Sequence, residues 1–154
     1  MAPTQDKDRE PPLFGEHIDQ STFDQILEMD EPNDNEFSTS IVFGFFAQAK
    51  ETFQKMDTAL TVHESRDDKD LKELSELGHF LKGSSATLGL IKVRDGCERI
   101  QRYGKNENLD GSAEPDSNVC LSRIAEAIED VKRDYDIVEK RLSAFYGREP
   151  DSDV

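Results

Sequence analysis

Between Leu71 and Leu88 a seam of small and apolar residues runs through Leu71, Leu74, Gly78, Leu81, Ser85 and Leu88. Steps that alternate three and four are the spacing of a helix buried along one side. The pattern recurs along the chain. Phe23, Ile26 and Leu27 give an apolar side to a short segment from Ile18 to Met29, and Val42, Phe45, Ala49, Phe53, Met56 and Leu60 run in register from Glu36 to Thr61. Leu90, Val93, Cys97 and Ile100 follow, and then Leu121, Ile124, Ile128, Val131, Tyr135, Val138, Leu142 and Phe145 between Asn118 and Tyr146. No stretch alternates as a strand would. Amphipathic helices bury their seams only against one another, so the expectation is an all-α fold: an antiparallel up-down-up-down four-helix bundle with a short extra N-terminal helix and flexible tails. A bundle completed within one chain predicts a monomer.

The breaks between seams fit that reading. Asp30-Glu31-Pro32-Asn33-Asp34-Asn35 is rich in turn formers, Val62 to Asp68 is a polar loop, and residues 105–117 combine Gly, Pro, Asn and Asp. Gly89, Gly104 and Gly147 each follow a seam, where a glycine suits a helix end. Residues 1–17 are Pro-rich and charged and predict a disordered N-terminal tail, residues 18–146 the bundle, and residues 147–154 a disordered acidic C-terminal tail.

A chain of 154 residues supports one domain with a modest core, and a net charge of −15 argues against nucleic acid or an anionic membrane as partner. The longest apolar run, Ile41 to Ala47, falls far short of the roughly 20 residues of a membrane span. No apolar stretch follows Met1 as a secretory signal requires. Cys97 and Cys120 both lie in helical segments and read as reduced, half-buried small hydrophobes, which places the chain in the cytoplasm or nucleus.

The charge is unevenly spread. Residues 1–36 hold eleven acidic and two basic side chains, whereas residues 79–105 hold six basic and two acidic, a net +4. His79 lies in this second region. At about 100° per residue it stands roughly 140° from the centre of the Leu71–Leu88 seam, so its imidazole is expected in solvent. Lys82, Gly83 and Ala86 are its neighbours at i+3, i+4 and i+7. A mid-helix glycine costs about 1 kcal/mol relative to alanine, and this helix carries two. Gly78 lies in the seam, where it permits close helix packing; Gly83 lies on the His79 side, where packing does not account for it. Helical side chains lean toward the N-terminus, so a side chain at 83 would cover the turn that carries His79. Either the glycine leaves room for a group on the imidazole or a partner against it, or it is an accident of a solvated helix.

The run His79-Phe80-Leu81-Lys82-Gly83-Ser84-Ser85-Ala86-Thr87-Leu88-Gly89 resembles the signature H-x-x-K-G-S-S-x-x-L-G of histidine-containing phosphotransfer (HPt) proteins. Cys97-Glu98-Arg99-Ile100-Gln101 resembles the fungal single-domain branch, the intermediates of multistep His-Asp phosphorelays. The resemblance implies a four-helix bundle whose exposed histidine accepts a phosphoryl group from the receiver domain of a hybrid sensor histidine kinase and passes it to response-regulator receivers. It implies His79 as the phosphoacceptor, with Lys82 and Gly83 beside it and Ser84, Gln101 and Lys105 in support. Thr22, Ile26, Phe37, Ile41 and Ala86 would belong to the receiver-docking surface, with Ile26 and Phe37 equally readable as core. Where the family often has arginine, Lys105 offers a point charge in place of a bidentate fork. The resemblance also implies that this chain binds no cofactor, the receiver bringing both Mg²⁺ and the catalytic lysine.

The residues permit that chemistry independently. An imidazole in water titrates near pH 6.5, so at pH 7 it mostly carries a free lone pair without a general base. Lys82 would neutralise part of a bound phosphoryl charge, and the positive region would steer an anionic partner. Competing motifs fail: Gly78 to Ser85 echoes a phosphate-binding loop, but no lysine follows Gly83 and the stretch is mid-helix. His17, His63 and His79 lack the spacing of a metal site, and His17 and His63 read as solvated. Two alternatives stay open: a helical adaptor that binds receivers without being phosphorylated, and a nucleotide-consuming enzyme, for which no nucleotide loop is found.

Overall fold

The computed structural model describes residues 15–61 and 68–148. The rest, including His63, most of the polar loop after Thr61 and the outer parts of both expected tails, lies outside the described residues. Five helices are present among the described residues: α1 (Gln20–Leu27), α2 (Glu36–Thr61), α3 (Asp68–Leu88), α4 (Ile91–Tyr103) and α5 (Ser117–Phe145). Only isolated bridges, Glu31 with Asp34 and Glu107 with Ala113, stand outside them. Helix α2 has the bounds its seam predicts; the others shift by one to a few residues at their ends, where helix boundaries are least determined.

Each of the four long helices packs on its neighbour in a closed ring, α2 on α3, α3 on α4, α4 on α5 and α5 back on α2. The core is the sum of the seams. Leu71, Leu74, Leu81 and Leu88 of α3, Val93, Cys97 and Ile100 of α4, and Leu121 through Leu142 of α5 are buried, as are Val42, Phe45, Ala49, Phe53 and Met56 of α2. Phe145 departs from its expected place: it is 42% exposed, with its ring packed edge-on against Phe23 and Tyr146 at the end of α5. Both cysteines are free and buried throughout rather than halfway, and burial pushes the Cys97 thiol up to about 12, so it packs as a hydrophobe and does not act as a nucleophile.

Helices α3 and α4 approach backbone to backbone, and glycine makes this possible. A Cβ on Gly78 would stand 3.0 Å from the Cys97 carbonyl and 3.1 Å from the Gln101 nitrogen, so backbone meets backbone there. Gly104, the C-terminal cap of α4, does the same from the other side, where a Cβ would fall 2.7 Å from the Leu71 carbonyl. The pairing fixes α3 and α4 antiparallel and in one register.

Two residues, Gly89 and Leu90, make the turn between these helices. Gly89 has a φ of +79°, a left-handed conformation that glycine adopts without strain, and its carbonyl accepts a 2.7 Å hydrogen bond from the Asp19 N–H. That bond ties α1 to the end of α3. Phe23 anchors α1 from below, fully buried and edge-on to Phe145 at 5.9 Å. His17 is part of the same attachment rather than a solvated residue: it is 7% exposed and its Nε2 lies 3.3 Å from Asp134 Oδ1 on α5. Further along, the Asp30 carboxylate accepts from both the backbone N–H (2.8 Å) and the hydroxyl (2.6 Å) of Ser38, and the Tyr146 hydroxyl donates to the same Ser38 oxygen at 2.8 Å. These contacts fix α1 at the Gly89 end of the bundle. His79, midway along α3, is roughly 14 Å from that end at 1.5 Å per residue.

Candidate functional site

His79 stands exposed on α3, outside the core and not covered by α1. No hydrogen-bond or ion-pair partner holds its ring among the described residues. The two sides of the histidine differ. On the α4 side, Lys82 reaches across to Glu98; on the α2 side, Ser84 and Thr87 face Ser40, Ile41, Gly44 and Gln48 over a groove of about 290 Å³. Between them a Cβ on Gly83 would meet nothing within 4 Å. The space that the sequence reserves beside His79 is therefore open. Ala86, one turn further, is exposed and adds only a methyl group.

Lys82 is not a free cation. Its Nζ donates to Glu98 Oε1 at 2.8 Å, and Arg102 Nε donates to the other oxygen, Oε2, at 2.5 Å. The hydrogen bonds from Lys82 and then Arg102 hold the Glu98 carboxyl below the usual carboxylate range. The other cations of the basic stretch are also partnered: Lys92 with Glu16, Arg94 with Asp95 and Arg99 with Asp130. The local field is thus weaker than the count of basic residues suggests. Lys105 differs: it is exposed and has no ion-pair partner among the described residues.

Gln101 is half-buried, its backbone pressed on Gly78 one residue from His79, while its carbonyl accepts from the Ser75 hydroxyl at 3.0 Å. Its side-chain oxygen is buried and unpartnered among the described residues. Ser85 is fully buried in the seam, and its hydroxyl donates to the Leu81 carbonyl one turn back on the same helix at 2.7 Å. Ser84, half-buried, lines the groove toward α2.

The docking candidates divide. Phe37 (43% exposed) and Ile41 (36%) present apolar surface on α2, and Met29 (66%) extends it. Ile26, at 9%, belongs to the core, where α1 turns it inward, so it supports the surface without forming part of it. Thr22 is half-buried; its hydroxyl donates to Asp19 at 2.6 Å and its Cβ lies under Gly89. Sequence reasoning overlooked Gly44 and Phe80. Gly44 is a mid-helix glycine between two phenylalanines with nothing within 4 Å of its Cβ position, the same signal that marks Gly83. Phe80, next to the histidine, leaves 49% of its surface in solvent.

Among the described residues no group of three or more His, Cys, Asp or Glu side chains could hold a metal ion, and no helix is long and apolar enough to cross a membrane.

Comparison with known proteins agrees with this geometry. Multistep phosphorelay regulator 1 of Schizosaccharomyces pombe is 46% identical over 130 residues, covering 84% of this chain and 42% of that protein. Phosphorelay intermediate protein YPD1 of Candida albicans is 45% identical over 93 residues, 60% of this chain and 47% of that protein. The chain thus spans about half the length of these curated relatives, or less. Among solved structures, Saccharomyces cerevisiae Ypd1, described as co-crystallised with the receiver domain of its downstream response regulator Ssk1, superposes with a TM-score of 0.73 at 29% identity, covering 86% of this chain and 96% of that one. The Hpt domain model matches residues 41–134, more than half of the sequence and the whole of the His79 region, and by that match the chain belongs to the histidine-containing phosphotransfer family.

Proposed function

We propose that this protein is a phosphocarrier: His79 accepts a phosphoryl group from the aspartyl phosphate of a hybrid-kinase receiver domain and gives it up to the aspartate of a response-regulator receiver. The observation that carries the reading is the exposed His79 ring beside the open position at Gly83. In the forward step an imidazole nitrogen attacks phosphorus, the N–P bond forms as the P–O bond to the carboxylate breaks, and the aspartate leaves with its electron pair. The second transfer runs the same exchange in reverse onto another carboxylate. The transition state is loose and its charge spreads over three oxygens, so positioning and electrostatics dominate. The receiver supplies Mg²⁺ for that charge. This chain contributes the nucleophile, the vacancy and a nearby ammonium, and it carries one phosphoryl per molecule without turnover of its own.

Docking follows from the same geometry. A receiver must cover His79 to exclude water from the transfer, and the apolar surface of Phe37, Ile41 and Met29 with the groove at Gly44 gives it purchase. The co-crystallised receiver of the structural relative supports such a partner. The protein acts as a monomer in the cytoplasm and nucleus, linking a kinase to its regulators.

The test is a two-stage chase. A receiver labelled on aspartate should lose label to this protein, and addition of a second, unlabelled receiver should then remove it. Receiver binding without label on this chain would favour the adaptor and reject the carrier.

A further inference from the structure

We propose that Glu98 is the resting counter-ion of the phosphoryl site: it holds Lys82 until His79 is phosphorylated, and the phosphoryl group then takes Lys82 from it. The inference rests on His79 as the acceptor and adds a positioning residue on the neighbouring helix.

Each Glu98 oxygen serves one cation, Oε1 for Lys82 and Oε2 for Arg102. The division matters, because Lys82 can leave without stranding the carboxylate: Arg102 remains on the other oxygen. The Lys82–Glu98 pair is also built to exchange. Its side chains are 30% and 35% exposed, and ion pairs open to water at this level are weak. Lys82 is three residues from His79 on the same helix, where side chains are neighbours, and its four-carbon stem lets the ammonium turn from α4 toward the imidazole. A phosphoryl group brings close to two negative charges against the one on Glu98. Arg99 is held away from competing for the anion by its pairing with Asp130.

Glu98 thereby opposes phosphorylation. An unopposed Lys82 would stabilise phosphohistidine and attract free phosphate to the resting site. Competition from Glu98 keeps the phosphohistidine less stable and the phosphoryl group easier to pass on.

The test uses the full chain, a purified response-regulator receiver domain and Mg²⁺, and measures how label partitions at equilibrium between receiver aspartate and this protein. Glu98→Gln should raise the ratio of label on this protein to label on the receiver by about threefold, the scale of an exposed ion pair. In a Lys82→Ala background, Glu98→Gln should leave the ratio where Lys82→Ala alone puts it, which a merely structural role for Glu98 would not produce. A ratio that is unchanged or lowered by Glu98→Gln, or raised equally without Lys82, overturns the proposal. A wild-type chain that takes no label at all overturns the acceptor reading itself; labelled wild type with an unmoved ratio overturns only the role of Glu98.

Discussion

Helix α3 has two sides with opposite demands, and a glycine stands on each. Toward α4, Gly78 lies where backbones touch, with carbonyl and amide atoms 3.0–3.1 Å from the place a Cβ would occupy. Away from the core, Gly83 has nothing within 4 Å. The first glycine is required by contacts within the molecule. The second is required by nothing within it, although its helix-propensity cost of about 1 kcal/mol is the same. What distinguishes a packing glycine from a functional one is therefore the neighbourhood and not the residue: a vacancy beside a reactive side chain, maintained at the expense of stability, implies an occupant from outside.

Three substitutions put that contrast under strain. Gly83→Gln fills the open position and leans over His79, so phosphotransfer should slow by roughly tenfold to hundredfold, the scale of a displaced reacting group. Helical content by circular dichroism should stay as in wild type; a collapse of the fold would make Gly83 a packing residue after all. Gly78→Ala pushes a methyl group into the α4 backbone. Overpacking of this kind costs ~1–3 kcal/mol against the ~1 kcal/mol regained in propensity, so denaturant unfolding should show a net loss of about 1 kcal/mol. Gly83→Ala should do the reverse and stabilise by up to ~1 kcal/mol in the same assay. Equal effects of alanine at both positions would erase the distinction.

Much of the fold was legible because seams at helical spacing report a local property, and each of the four long helices carries one strong enough to read alone. His79, Gly78 and Gly83 were legible for the same reason, since their relative directions follow from one helix. What escaped depends on contacts distant in sequence. His17 is buried through Asp134, 117 positions away, and no local pattern in a charged N-terminal segment announces that. Lys92 pairs with Glu16 and Arg99 with Asp130, acids outside the 79–105 stretch, so a count of charges along that stretch overstated the positive field. Ile26 turned inward because Phe23 and Gly89 fix the orientation of α1. Gly44 could have been found from sequence by the reasoning applied to Gly83, a costly glycine in mid-helix, although its partner across the groove could not.

All of this depends on one exposed imidazole being the phosphoryl acceptor. Incubation with a receiver phosphorylated on aspartate, followed by acid treatment, measures it most directly. Wild type should carry acid-labile label and His79→Gln none, with the variant still folded and still binding the receiver. Label that persists on the His79→Gln chain would contradict the assignment.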